Sequence, residues 1–124
     1  MIDHFSIRVK DLQASKIFYT KTLAPLGYEI RFDNAHAVSF GEAENTDPGG
    51  DFWLEKGQQV PMHFAFHAKT HREVDLFYQA GLAAGARDNG MPGLRPHYHS
   101  NYYAVFLIDP DGNNIEAVCH SQNK

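Results

Sequence analysis

The sequence predicts an α+β fold built from two copies of one strand–helix–strand–strand–strand unit. Three observations carry that expectation. The chain repeats itself: Asp3-His4-Phe5-Ser6-Ile7 is echoed by Met62-His63-Phe64-Ala65-Phe66, an offset of 59 residues. The same offset carries Lys10 onto Lys69, Phe18-Tyr19 onto Phe77-Tyr78, and Leu23-Ala24 onto Leu82-Ala83. Each copy opens with a period-two stretch and passes into helical spacing. The length of 124 residues, with 43% hydrophobic and 13% aromatic content, fits one domain with a real core. Either half alone is near the ~60-residue limit of independent stability. The halves, about 1–58 and about 59–124, should therefore pack together.

The first strand is expected over residues 2–9, with Phe5, Ile7 and Val9 on its apolar face and His4 on the other. Asp11 is placed to cap a helix carrying Ala14, Ile17, Phe18 and Lys21, which should end before Pro25 and Gly27. Short strands fit 28–32, 36–40 and 52–55, the last two separated by Asn45-Thr46-Asp47-Pro48-Gly49-Gly50. In the second half a strand fits 62–68, with Phe64 and Phe66 opposite His63. Thr70 and Glu73 form a capping box, followed by the stripe Val74, Phe77, Tyr78, Gly81 and Leu82. Strands at 103–108 and 114–119 flank the turn Asp109-Pro110-Asp111-Gly112-Asn113, an echo of Asp47-Pro48-Gly49-Gly50-Asp51.

Aligning the strands after these turns sets Trp53-Leu54-Glu55 against Asn114-Ile115-Glu116, an offset of 61. The repeat thus yields a set of His4, Glu55, His63 and Glu116. Residues 90–99, Gly-Met-Pro-Gly-Leu-Arg-Pro-His-Tyr-His, have no counterpart in the first half. Their Arg, His and Tyr content favours a functional loop over a plain solvent loop, and His97 and His99 share a face if the segment is extended. Trp53, Tyr102 and Tyr103 fit either a cleft lining or the core.

A net charge of −4 without a basic run argues against nucleic acid. No stretch approaches the ~20 apolar residues of a membrane span. The first residues run directly into the repeat, which predicts no secretory leader. The single cysteine, Cys119, predicts a buried thiol in a reducing, cytoplasmic setting. His36, His67, His71 and His120 are expected at the surface, His71 facing water from the first turn of the second helix.

The repeated strand and helix order, the histidine opening each half and the closing Asp109-Pro110-Asp111-Gly112-Asn113…Glu116 resemble the vicinal oxygen chelate superfamily. That group includes glyoxalase I, bleomycin-resistance proteins, fosfomycin-resistance enzymes and extradiol dioxygenases, and the resemblance spans essentially the whole chain. It implies two βαβββ modules whose strands curl into a cup-shaped mixed sheet around a divalent metal, and a homodimer. His4, His63 and Glu116 match the metal ligands, and Glu55 falls near the fourth ligand of glyoxalase I. The stretch between Glu55 and His63 is shorter than in glyoxalase I, and the chain shows no clear glutathione-binding set, a departure from lactoylglutathione lyase.

Such a mixed nitrogen and oxygen set suits Zn, Ni, Fe or Mn. Glu116 or Glu55 would act as general base, and Arg95, His97, His99, Tyr103 and Trp53 would contact substrate. The resemblance implies a metal-dependent lyase or isomerase-type proton transfer on a small oxygen-rich metabolite. Its alternatives are a non-catalytic small-molecule or antibiotic-binding protein of the bleomycin-resistance type, and an extradiol-type dioxygenase with His97 or His99 as acid–base beside the metal.

Overall fold

Each half of the chain folds in the predicted order. A computed structural model describes residues 2–46 and 48–124; Asp47 of the first predicted turn lies outside them. The first module runs β1 (Phe5–Val9), α1 (Leu12–Leu23), β2 (Tyr28–Asp33), β3 (Ala37–Glu42) and β4 (Phe52–Lys56). The second runs β5 (His63–His67), α2 (His71–Ala83), β6 (Arg87–Leu94), β7 (Tyr103–Ile108) and β8 (Asn114–Cys119). The strands form two four-stranded mixed sheets, ordered β1-β4-β3-β2 and β5-β8-β7-β6. In each, the module's first and last strands pair in parallel and the rest pair antiparallel.

Residues 90–94 are not the unrepeated segment their composition implied. They belong to β6, the counterpart of β2, so only the loop from Arg95 to Tyr102 lacks an equivalent. Glycine and proline disguised the strand. Its edge position accommodates Pro92, which has no N–H to donate. Its register against β7 slips twice, between Asp88 and Gly90 and between Gly90 and Gly93.

Asp11 caps α1, its carboxylate accepting from Ala14 N at 3.0 Å. Pro25 then lies in a short 3-10 turn, Ala24–Leu26, and Gly27 ends it at φ +82°. The buried stripe of α1 is Ser15, Phe18, Tyr19, Thr22 and Leu23, whereas Ile17 is 47% exposed. Two polar residues occupy that stripe because their hydroxyls find partners inside the protein. Ser15 Oγ donates to Asp111 Oδ2 at 2.9 Å, and Thr22 Oγ1 donates to Phe18 O at 3.1 Å.

Thr70 caps α2 by accepting from Glu73 N at 3.1 Å, while the Glu73 carboxylate reaches back to Lys69 N at 2.9 Å. Gly81 lets α2 approach β7: a Cβ there would overlap Leu107 Cδ1. His71 does more than face water. Its ring stacks on Tyr103 at 3.9 Å and its Nε2 lies 2.9 Å from Ser121 O. The first N–H groups of α2, at His71 and Arg72, donate to Asn123 O and Lys124 O, so the chain's last residues close that helix end.

The modules meet through α1 against α2 and through a ring cluster. Phe5 packs edge-on against Phe64 at 4.9 Å, and Phe52 does so against Phe66 at 5.2 Å. His4 immediately precedes β1 and His63 opens β5, so the two histidines stand at the starts of the first strands of the two sheets. Among the described residues, no helix is long and apolar enough to cross a membrane.

Candidate functional site

Parallel pairing of β5 with β8 sets Ala65 opposite Glu116 and His63 opposite Asn114. Strand alternation then turns His63 and Glu116 to the helix-free face while Phe64 and Phe66 turn inward. His63 Nε2 lies 3.3 Å from Glu116 Oε1, with a side-chain exposure of 51% against 3% for Glu116. His63 Nδ1 is 2.8 Å from Asn114 O. A carbonyl only accepts, so Nδ1 is the donor in that pair, and the ring is oriented with Nε2 toward the carboxylate. Metal-binding histidines are commonly oriented by such a bond from the other ring nitrogen.

Glu116 Oε2 accepts a hydrogen bond from the Tyr102 hydroxyl. Burial, then this bond and the nearby carboxylate charge, push that hydroxyl well above its ordinary range. No Lys or Arg forms a close ion pair with Glu116 among the described residues. A buried carboxylate without such a partner is a place where a bound cation would be favoured. Bonds of ~2.0–2.2 Å to one tetrahedral ion place two donors roughly 3.3 Å apart, so the spacing fits shared chelation.

The other expected ligands stand apart. His4, on β1's approach, is exposed and its Nδ1 meets Asp3 Oδ1 at 2.7 Å. His4 and His63 border one open cleft of about 770 Å³, with Phe5, Tyr28, Phe52 and Phe64 along its wall. Among the described residues, no group of three or more His, Cys, Asp or Glu side chains could hold a metal ion within one chain. Glu55 pairs in register with Arg8 and Ala37 and is exposed. The structural equivalent of Glu116 is Trp53. Phe5 pairs with Phe52 where Phe64 pairs with Ile115, making the offset 63 rather than 61. Trp53 lies against Phe32 at 5.4 Å, over the same row of the sheet as the fully buried Ser39.

Tyr103 is not part of this face. Its hydroxyl donates to Asp75 on α2 at 2.7 Å, the helix side of β7. Its neighbour Tyr102 is the residue that reaches Glu116. The alternation Tyr103, Val105, Leu107 carries the signal, since those residues pack toward the helix and leave Tyr102 for the other face.

The loop after β6 is a series of turns rather than an extended segment, closed by Arg95 N to Tyr102 O at 2.7 Å and Tyr98 N to Arg95 O at 2.9 Å. His97 therefore rests on Tyr98, while His99 turns to Tyr102 and meets His120 Nδ1 through Nε2 at 2.9 Å. His120, expected only as a surface residue, thus fastens the loop to the end of β8.

A sequence model of the Glyoxalase/Bleomycin resistance protein/Dioxygenase superfamily matches residues 1–117. Among solved structures, a glyoxalase/bleomycin resistance protein from Albidiferax ferrireducens T118 is 30% identical with a TM-score of 0.78, over 94% of this chain and 97% of that one. A lactoylglutathione lyase from Agrobacterium tumefaciens shares the fold at 20% identity and TM-score 0.69, over 96% and 92%. A glyoxalase/bleomycin resistance protein/dioxygenase family enzyme from Burkholderia phytofirmans PsJN does so at 15% and 0.71, over 97% and 98%. None of the curated proteins matches the chain.

Proposed function

The chain belongs to the glyoxalase/bleomycin resistance protein/dioxygenase superfamily, and on that premise we propose that it is a metal-dependent, glyoxalase-like enzyme moving a proton on a small oxygen-rich molecule. The observation that carries this reading is the buried Glu116, held at Oε2 by Tyr102 and opening at Oε1 onto the Nε2 of His63. His63 and Glu116 would hold a divalent ion, with His4 as third donor. The ion would act as a Lewis acid on two adjacent substrate oxygens. Glu116 would take the proton from the neighbouring carbon, with Tyr102 fixing the carboxylate's orientation. A cytoplasmic setting remains part of this proposal.

Among the described residues no third donor joins His63 and Glu116 within one chain, and β1 and β5 are both edge strands. We therefore assign the missing donor to a second copy of the chain, in a homodimer where His4 of one protomer meets His63 and Glu116 of the other. Titration with Zn, Ni, Fe or Mn should give saturable binding that His63→Ala and Glu116→Ala abolish. Mixing His4→Ala with Glu116→Ala protein should restore one site per mixed dimer. Metal-free protein that binds a small ligand, with no change in His4→Ala, would overturn the proposal.

One observation favours a second reading, a binding protein of the bleomycin-resistance type. Trp53 and Phe32 give the first module an aromatic face suited to stacking a flat ligand.

A further inference from the structure

Arg95 is seated in a socket that β6 is shaped to make. Its Nη1 donates to Gly93 O and its Nη2 to Met91 O, both at 2.8 Å. The guanidinium lies over the Phe106 ring, 5.4 Å from the centroid. Phe106 pairs in register with Glu116, and the same ring stacks with His63 at 6.2 Å. Two glycines leave room for the socket. A Cβ on Gly90 would come within 3.1 Å of Arg95 Nη2, and one on Gly93 within 3.4 Å of Nη1. Gly90 also holds φ +152°, a conformation side chains rarely adopt. Both glycines fall where the β6 register slips, and strand bulges beside a site serve to re-aim a side chain.

This fixed cation has no ion-pair partner among the described residues. A guanidinium carries five N–H donors, and the two carbonyl bonds leave three. An arginine held rigid over a ring, beside a buried carboxylate site and without a counter-charge, is arranged to receive an oxyanion.

We infer that Arg95 is an anion-binding residue that selects substrates ending in a carboxylate or phosphate group, held in a forked contact beside the His63–Glu116 pair. The inference rests on the proposed function only in placing the reacting end of the molecule at Glu116. The anion contact itself needs no metal.

The Arg95 Nε–H resonance, identified by its absence in Arg95→Gln, can be followed by NMR as metal-free protein is titrated with inorganic phosphate or with acetate. A saturable shift with either anion is expected. Preference for acetate assigns a carboxylate substrate, and preference for phosphate assigns a phosphate ester. Acetamide, the neutral control, should leave the resonance in place. Arg95→Lys keeps the charge but loses the fork and should bind about tenfold or more weakly. Both variants should keep the wild-type pattern of backbone amide resonances, which shows that they are folded. Calorimetric titration with the same anions compares the variants with the wild type: equal anion affinity in Arg95→Gln, or no saturable shift of the wild-type resonance with either anion, overturns the inference. Loss of metal binding in wild-type protein with intact anion binding would overturn the proposed function alone.

Discussion

Trp53 stands in the first module where Glu116 stands in the second. Ladder register makes them equivalent, each one residue past the partner of a duplicated phenylalanine. Duplication therefore left an asymmetric pair of faces. One offers a carboxylate with an imidazole, the other an indole against a phenyl ring.

Glu55 should be dispensable for metal binding. It is exposed and sits opposite Arg8 and Ala37, two residues beyond Trp53 along β4. Glu55→Ala should leave metal stoichiometry unchanged and stability within ~0.5 kcal/mol, while Glu116→Ala abolishes binding by calorimetric titration. Equal losses in the two variants would contradict the register argument.

The adjacent tyrosines should separate cleanly. Tyr102→Phe removes the donor to a buried carboxylate oxygen, at a cost of ~1–3 kcal/mol in denaturant unfolding. It should also weaken metal affinity roughly 10–100-fold, the usual effect of losing a group that orients a ligand. Tyr103→Phe should lower stability only, because its hydroxyl meets Asp75 on α2. A metal affinity that responds equally to both would sink this assignment.

Gly81→Ala should destabilise the protein, against the helix-propensity expectation of a gain of ~1 kcal/mol. The new methyl meets Leu107 Cδ1, and overpacking of this kind costs about 1–3 kcal/mol. Trimming the opposing side chain in Gly81→Ala/Leu107→Val should recover part of the loss, read as the denaturation midpoint.

Stability should fall in alkali. Tyr19 is held well above its ordinary value by burial first and then by Asp109, which accepts its hydrogen bond. Tyr28 is pushed up to about 12 by burial and by Asp51. In the unfolded chain both ionise near the ordinary value of about 10. The folded state binds these protons more tightly, so their contribution is complete below about pH 10 and is lost as pH climbs toward the folded values. The melting temperature should hold to about pH 9 and then decline. Tyr19→Phe should melt lower at neutral pH, with Asp109 short of a donor, and decline less steeply above pH 10. A parallel alkaline slope in that variant would refute the attribution.

Local features were the legible ones. The Asp11 and Thr70 caps, the Asp109–Asn113 turn and the inward phenylalanines of β1 and β5 all follow from neighbours within a few residues. Three features depended on pairing between distant strands. Glu55 was misaligned because the segment linking β3 to β4 differs in length from its counterpart, which only ladder register reveals. β6 was hidden because an edge strand accepts Pro92 and two register slips. Tyr102 was passed over for Tyr103 because a strand's first residue decides which face every later side chain takes. His63 and Glu116, by contrast, were grouped in one set from the sequence, because the repeat and the family resemblance both single them out.

The turn at Asp109–Asn113 belongs to the second module but is gripped by the first. Asp111 accepts from Lys10 N at 3.0 Å and from Ser15 Oγ, and Asp109 accepts from Tyr19. Glu116 lies only a few residues downstream, on the strand this turn launches. The half that bears the carboxylate thus relies on its twin for its own shape. Although the chain reads as two copies of one unit, it should melt in a single transition, and a severed second half would have no template on which to set Glu116.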